Sequence, residues 1–112
     1  MKLKSILLTT LVLASTAAWA EPSHRAFVTN EKDNTVSVID TKTNEVINTI
    51  NIGERPRGIG LSPDQKQLYV AISEEGAIAV VNLDTLEVVK KLDAGDDPET
   101  FDVAPNGNIY IS

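Results

Sequence analysis

The sequence predicts an all-β fold made of β-propeller blades, each of four antiparallel strands, and three observations predict it. The stretch from Tyr69 to Tyr110 repeats, residue class for residue class, the stretch from Phe27 to Leu68. A step of 42 positions carries Phe27 to Tyr69, Val38 to Val80, Asp40 to Asn82, Gly53 to Gly95, Pro56 to Pro98 and Pro63 to Pro105. A period in the low forties that contains several short β-rich runs is the mark of a propeller blade. Finally, Val36-Ser37-Val38-Ile39-Asp40 and Ile78-Ala79-Val80-Val81-Asn82 are apolar on both faces. Such strands must be covered on both sides, as blades stacked face to face cover them.

The start of the chain differs in composition from the rest. Lys2 and Lys4 precede an uncharged apolar run from Ile6 to Ala18, and Ala18-Trp19-Ala20 sets small residues at both recognition positions before Glu21. This three-part pattern predicts a signal peptide over residues 1–20, cleaved after Ala20 and addressing the protein to the periplasm or the exterior. The run is shorter than the roughly 20 apolar residues that span a bilayer, so no membrane anchor is expected in the mature chain. Residues 21–112 form the repeat region. All 16 acidic residues lie there, so loss of Lys2 and Lys4 takes the net charge from −6 to −8. A surface this acidic repels phosphate backbones and anionic lipid, which argues against nucleic acid and membrane as partners. With no cysteine in the chain, disulfides, a Cys-x-x-Cys-His haem attachment and thiolate metal sites are all excluded.

Along the repeat, Arg25 to Asn30 and Thr35 to Asp40 read as strands joined by Glu31-Lys32-Asp33-Asn34, whose asparagine tolerates the left-handed backbone of a tight hairpin. Gly76 is its counterpart. Asp40 and Asn82 each close a strand and can bond the backbone of the following turn. Glu45 to Ile52 and Glu87 to Ala94 carry the most polar residues and read as outermost strands. Gly53 and Gly95 end them, and Pro56 and Pro98 stiffen the crossing to the next blade. Arg57 to Ser62 and Glu99 to Ala104 read as inner strands, with Gly58 and Gly60 suited to a crowded axis. Their hairpins are Pro63-Asp64-Gln65-Lys66 and Pro105-Asn106-Gly107-Asn108, the second with a strong Asn-Gly turn signal. The first copy starts at its second strand, so in a closed ring its inner strand has to come from elsewhere, by strand exchange between the two ends.

Phe27-Val28-Thr29-Asn30, then Thr35-Val36-Ser37-Val38-Ile39-Asp40, Gly53-x-x-Pro56, Ser62-Pro63-Asp64 and Leu68-Tyr69-Val70 resemble the YVTN-type β-propeller repeat over nearly all of residues 21–112. Phe27 stands where that repeat has tyrosine. The second copy departs further, with Ala71-Ile72 for Thr-Asn and Ala104-Pro105-Asn106-Gly107 for Ser-Pro-Asp-Gly. The resemblance implies a ring of about seven blades and about 300 residues, of which two copies and the start of a third are present. Arg55-Pro56-Arg57-Gly58 and Asp97-Pro98-Glu99 are similar to loops of periplasmic propellers associated with pyrroloquinoline-quinone (PQQ) dependent alcohol oxidation. The wider family acts mostly through binding and scaffolding, although a fold by itself does not fix function.

Arg55 and Arg57, in the crossing loop, are the candidate ligand-binding residues, since two guanidinium groups can hold a carboxylate or phosphate. The competing expectation is that they pair with Asp96, Asp97 and Glu99 in the equivalent loop of the next blade. His24 is the single histidine and has no partner set for metal or haem. Asp93, Asp96, Asp97, Glu99 and Asp102 lack the ligand ladder of a calcium loop. Gly58-Ile59-Gly60 meets Pro63 where a dinucleotide fingerprint needs its third glycine. No nucleophile is paired with a base, so no catalytic residue, metal or cofactor is expected. The expected function is that of an exported, non-catalytic binding or scaffold propeller, engaging a protein partner or small molecule at its face and serving a quinoprotein oxidation system. The alternatives are part of an enzymatic propeller, either a lactonase or a haem- or quinone-bearing oxidoreductase subunit, and a cell-surface repeat protein.

Overall fold

A computed structural model describes residues 23–112; the expected signal peptide and its cleavage site lie outside the described residues. The two-residue alternation of the sequence becomes strands β1 Arg25–Asn30, β2 Thr35–Asp40, β3 Glu45–Asn51, β4 Pro56–Leu61, β5 Gln67–Ile72, β6 Ala77–Asn82, β7 Glu87–Asp93, β8 Phe101–Val103 and β9 Ile109–Ile111. One turn of 3-10 helix, Ser73–Glu75, lies between β5 and β6. The sheets are β1-β2-β3, β4-β5-β6-β7 and β8-β9, each built from antiparallel neighbours. The middle sheet is a complete four-stranded blade, and among the described residues the first holds no strand that corresponds to β4.

Local chemistry sets the turns. Asn34 and Gly76, 42 positions apart, both take the left-handed conformation, at φ 60 and 58, and each accepts a backbone N–H from the end of its blade's outer strand: Ile52 to Asn34 at 3.2 Å, Ala94 to Gly76 at 2.8 Å. The Asp40 carboxylate accepts the Lys42 N–H at 2.8 Å, and the Asn82 side chain accepts that of Asp84 at 2.8 Å. Three expected strand ends move inward by a residue or more. Ser62 leaves β4 to organise its turn, its hydroxyl donating to Asp64 at 2.6 Å and accepting the Gln67 N–H at 3.0 Å. Ile52 and Ala94 leave β3 and β7 because their amides turn to Asn34 and Gly76. The span expected as an inner strand from Glu99 to Ala104 shortens to β8, since Glu99 spends its carbonyl on the Gly58 N–H across the blade boundary, at 2.9 Å.

The apolar faces are covered on both sides, as strands without a polar face require. Leu68, Val70 and Ile72 of β5, with Ala79 and Val81 of β6, join Val36, Val38, Ile50 and Ile52 of the first blade in one core. The alternate residues Tyr69, Ala71, Ile78 and Val80 form a second core against Phe101, Val103 and Ile109 of the third sheet. The aromatics Phe27 and Phe101 pack against these cores, whereas Tyr110 is exposed. Near the axis, a Cβ on Gly58 would stand 2.9 Å from the Glu99 carbonyl oxygen and one on Gly60 would stand 3.1 Å from the Phe101 ring. Glycine there lets the inner strands β4 and β8 approach.

The outer strands hold a feature not expected from the sequence. The ladder slips between Val38 and Ile39, leaving Ile47 unmatched, and it slips again between Val80 and Val81, leaving Val89 unmatched. These are β-bulges at equivalent positions of the two blades, and both unmatched residues are 53% exposed.

Candidate functional site

Because neighbouring strands alternate in direction, the β1–β2, β3–β4, β5–β6 and β7–β8 connections gather at one end of the blades. Arg55 lies in the β3–β4 connection at φ 59. This left-handed backbone is unusual for arginine, and three bonds hold it. Its N–H donates to Asn34 Oδ1 at 2.9 Å, and its carbonyl accepts the Ser73 N–H at 3.1 Å and the Ser73 hydroxyl at 3.1 Å. Gly53, two residues earlier at φ 129, supplies a conformation open to glycine.

So placed, the Arg55 guanidinium meets three carboxylates from three other connections. Nε donates to Glu31 Oε1 at 3.0 Å, and Nη1 lies 3.3 Å from Glu74 Oε1 and 3.6 Å from Asp97 Oδ1. The hydrogen bond from Arg55 lowers the pKa of the Glu31 carboxyl, and the same bond raises that of the guanidinium. Arg57, at the start of β4, pairs with Glu99. Both Arg57–Glu99 and Arg55–Asp97 join residues 42 apart, so the same position carries a cation in one blade and an anion in the next. Beside them Lys91 Nζ bridges both oxygens of Glu75, at 2.8 and 3.1 Å.

The structure therefore brings Arg55 and Arg57 to one end of the blades and sets each against carboxylates of its own chain. Of the partners expected from the sequence, Asp97 and Glu99 are present; Asp96 forms no ion pair among the described residues. Glu31, Glu74, Asn34 and Ser73 were missed as members of this network. Glu31 corresponds by the repeat to Ser73, and Glu74 to Lys32, so comparing the two copies gives no charge pattern that would find them. His24 is exposed and takes part through its carbonyl, which accepts the N–H and hydroxyl of Thr41. Among the described residues no group of three or more histidine, cysteine, aspartate or glutamate side chains is placed to hold a metal ion.

Two open clefts are lined by neither Arg55 nor Arg57. One, of about 260 Å³, is lined by Arg25, Phe27, Ile59, Gly60, Leu61 and Leu68. The other, of about 310 Å³, runs along Thr100 to Asp102 and Tyr110 to Ser112.

Known proteins place this architecture. The chain is 38% identical over 63 residues to the YncE protein of Salmonella typhi, an alignment that covers 55% of this chain and 18% of that protein. It is 48% identical over 42 residues to the PE-PGRS family protein PE_PGRS18 of Mycobacterium tuberculosis, covering 38% of this chain and 9% of that one. The chain thus spans less than a fifth of the length of these relatives. Among solved structures it resembles the hydrazine synthase of Kuenenia stuttgartiensis, with a TM-score of 0.75 at 24% identity over 80% of this chain and 26% of that one. It also resembles the dihydro-heme d1 dehydrogenase NirN, with a TM-score of 0.69 at 24% identity over 83% of this chain and 20% of that one. At such identities the likeness is one of fold. The family model of the YNCE-like beta-propeller matches residues 3–112, and the chain belongs to that family.

Proposed function

We propose that this chain is part of an exported, non-catalytic propeller that binds a protein partner or small molecule at the end of the ring where the arginine network lies, as an accessory to a PQQ-dependent oxidation system. The observation that carries this reading is the state of Arg55 and Arg57. A guanidinium that serves a reacting substrate has to offer free donors to it, whereas here Arg55 is surrounded by Glu31, Glu74 and Asp97, and Arg57 by Glu99. The arginines link the loops of consecutive blades into one charged rim, which suits recognition of a partner better than turnover of a substrate. The signal-peptide pattern of residues 1–20 supports export, and the similarity of the Arg55–Gly58 and Asp97–Glu99 loops to those of quinoprotein-associated propellers supports the accessory role.

A second reading, in which the complete ring is enzymatic, draws on the solved structures it resembles, since hydrazine synthase and dihydro-heme d1 dehydrogenase are enzymes by name. One experiment separates the two. The full-length protein is purified from the periplasm, its visible spectrum and lactonase activity are recorded, and its binding to a purified PQQ-dependent alcohol dehydrogenase is titrated by calorimetry. Saturable binding by a colourless, inactive protein is the expected result. A stoichiometric haem or quinone chromophore, lactone turnover, or no heat of binding overturns the proposal.

A further inference from the structure

We infer that Asn106 is a site of spontaneous covalent modification, where the Asn106–Gly107 peptide closes to a succinimide that water opens to aspartate and isoaspartate. The inference is independent of the proposed function, since the β8–β9 connection lies at the end of the blades opposite the arginine network. Asn106-Gly107 is the one Asn-Gly pair of the sequence, and both residues are exposed. Gly107 sits at φ 90, and a Cβ built on it would meet nothing within 4 Å. The backbone nitrogen that has to attack therefore carries no flanking side chain, and the space around it is open. Asn106 Oδ1 accepts the Asn108 N–H at 3.0 Å, which folds the side-chain carbonyl back over the Gly107 peptide. The same N–H donates to the oxygen on which charge gathers as that carbonyl becomes tetrahedral, an arrangement that stabilises an oxyanion.

One bond opposes the step: the Gly107 N–H donates to the Ala104 carbonyl at 2.8 Å. It has to open before the proton can leave, and an exposed turn between strands of three residues opens locally with ease. Base in the solvent then takes the proton, and Gly107 N forms a bond to Asn106 Cγ. The Cγ–Nδ2 bond breaks, and the nitrogen leaves as ammonia with a proton from water. Water adding to the ring at Cγ gives aspartate, and water adding at the main-chain carbonyl gives isoaspartate. The net exchange is amide plus water for carboxylate plus ammonium. The first copy shows what the aspartate product does. Asp64 stands 42 positions before Asn106; its Oδ1 accepts the Lys66 N–H at 3.0 Å, and the Gln65 N–H donates to the Ser62 carbonyl at 2.9 Å. A hairpin with aspartate thus repeats these bonds of the hairpin with asparagine. Isoaspartate instead adds a methylene to the main chain between Ala104 and Asn108, whose mutual bond of 2.8 Å closes the hairpin. It disturbs the pairing of Val103 with Ile109, which pack on the second core.

The test holds freshly purified full-length protein in mildly alkaline buffer and follows the proteolytic peptide containing residue 106 by mass spectrometry, with fragmentation that separates aspartate from isoaspartate. Asn106 gains about 1 Da at least about tenfold faster than Asn34, Asn82 or Asn108 gains it. The product holds both aspartate and isoaspartate, and the rate rises with pH. Gly107→Gln, whose turn has the precedent of Gln65 at φ 58, slows the conversion by at least about tenfold. Conversion of Asn106 no faster than that of the other asparagines overturns the inference, as does conversion confined to urea-unfolded protein. An equal rate in Gly107→Gln, or aspartate without isoaspartate, overturns it too, because neither is compatible with closure through the Gly107 nitrogen.

Discussion

Asn34 ties the first blade to the arginine loop, and replacing it tests whether that tie is a matter of backbone geometry. Its left-handed φ of 60 costs an asparagine little and an alanine about 1 kcal/mol. Its side chain accepts the Arg55 N–H at 2.9 Å, a bond with a net worth of about 1 kcal/mol. Asn34→Ala loses both, a destabilisation of about 2 kcal/mol. Asn34→Gly keeps the backbone conformation and loses the bond, which costs about 1 kcal/mol. Gly76→Ala is the companion, since it incurs the same backbone cost and also brings a Cβ to 2.5 Å from the Gly95 carbonyl oxygen; it exceeds Asn34→Ala. The measurement is urea unfolding followed by far-ultraviolet circular dichroism, with the slope checked for constancy so that midpoints report stability. If alanine and glycine at position 34 cost the same, the backbone term is absent and the reasoning fails.

Other outcomes follow from the same geometry. A double-mutant cycle of Arg57→Ala and Glu99→Ala yields a coupling of about 0.2–1 kcal/mol that fades in about 1 M salt, as befits an exposed pair; a coupling indifferent to salt contradicts the pairing. Glu31 has a lowered folded-state pKa, so its contribution is fully present above the ordinary glutamate value and is lost as pH falls through the lower one. Wild type accordingly melts above Glu31→Gln at neutral pH, and the gap closes below about pH 4; a gap that persists in acid refutes the assignment. Ile72→Ala, at a fully buried position in the core between the first two blades, costs about 2–5 kcal/mol, while Ile47→Ala at an exposed bulge changes stability by less than about 0.5 kcal/mol, both read from denaturant midpoints.

Much of the blade was legible because each local signal has one structural use. Asn34 and Gly76 mark the same left-handed corner and Asp40 and Asn82 the same turn, both recurring at one period, and Gly58 and Gly60 mark the close approach near the axis. Strand ends were less legible where an amide has two possible partners: Ile52 and Ala94 continue the apolar pattern of their strands, yet their N–H groups go to neighbouring loops. The pairing of Arg57 with Glu99 was open to inspection because the repeat itself brings the two side by side. Glu31 and Glu74 were not, since they reach Arg55 from connections whose sequences differ between copies. The bulges left only a trace, the extra residue in β3 and β7 relative to the six of β2 and β6, because Ile47 and Val89 look like ordinary strand residues.

Those two bulges separate the rim of the blade from its interior. A one-residue deletion at Ile47 or Val89 would remove the slip and restore an even ladder, with no side chain changing sides in the three strands nearer the axis. A change of length at the circumference thus leaves both cores in place, whereas a deletion of the same size in β5 or β6 would exchange the residues of the two cores at once.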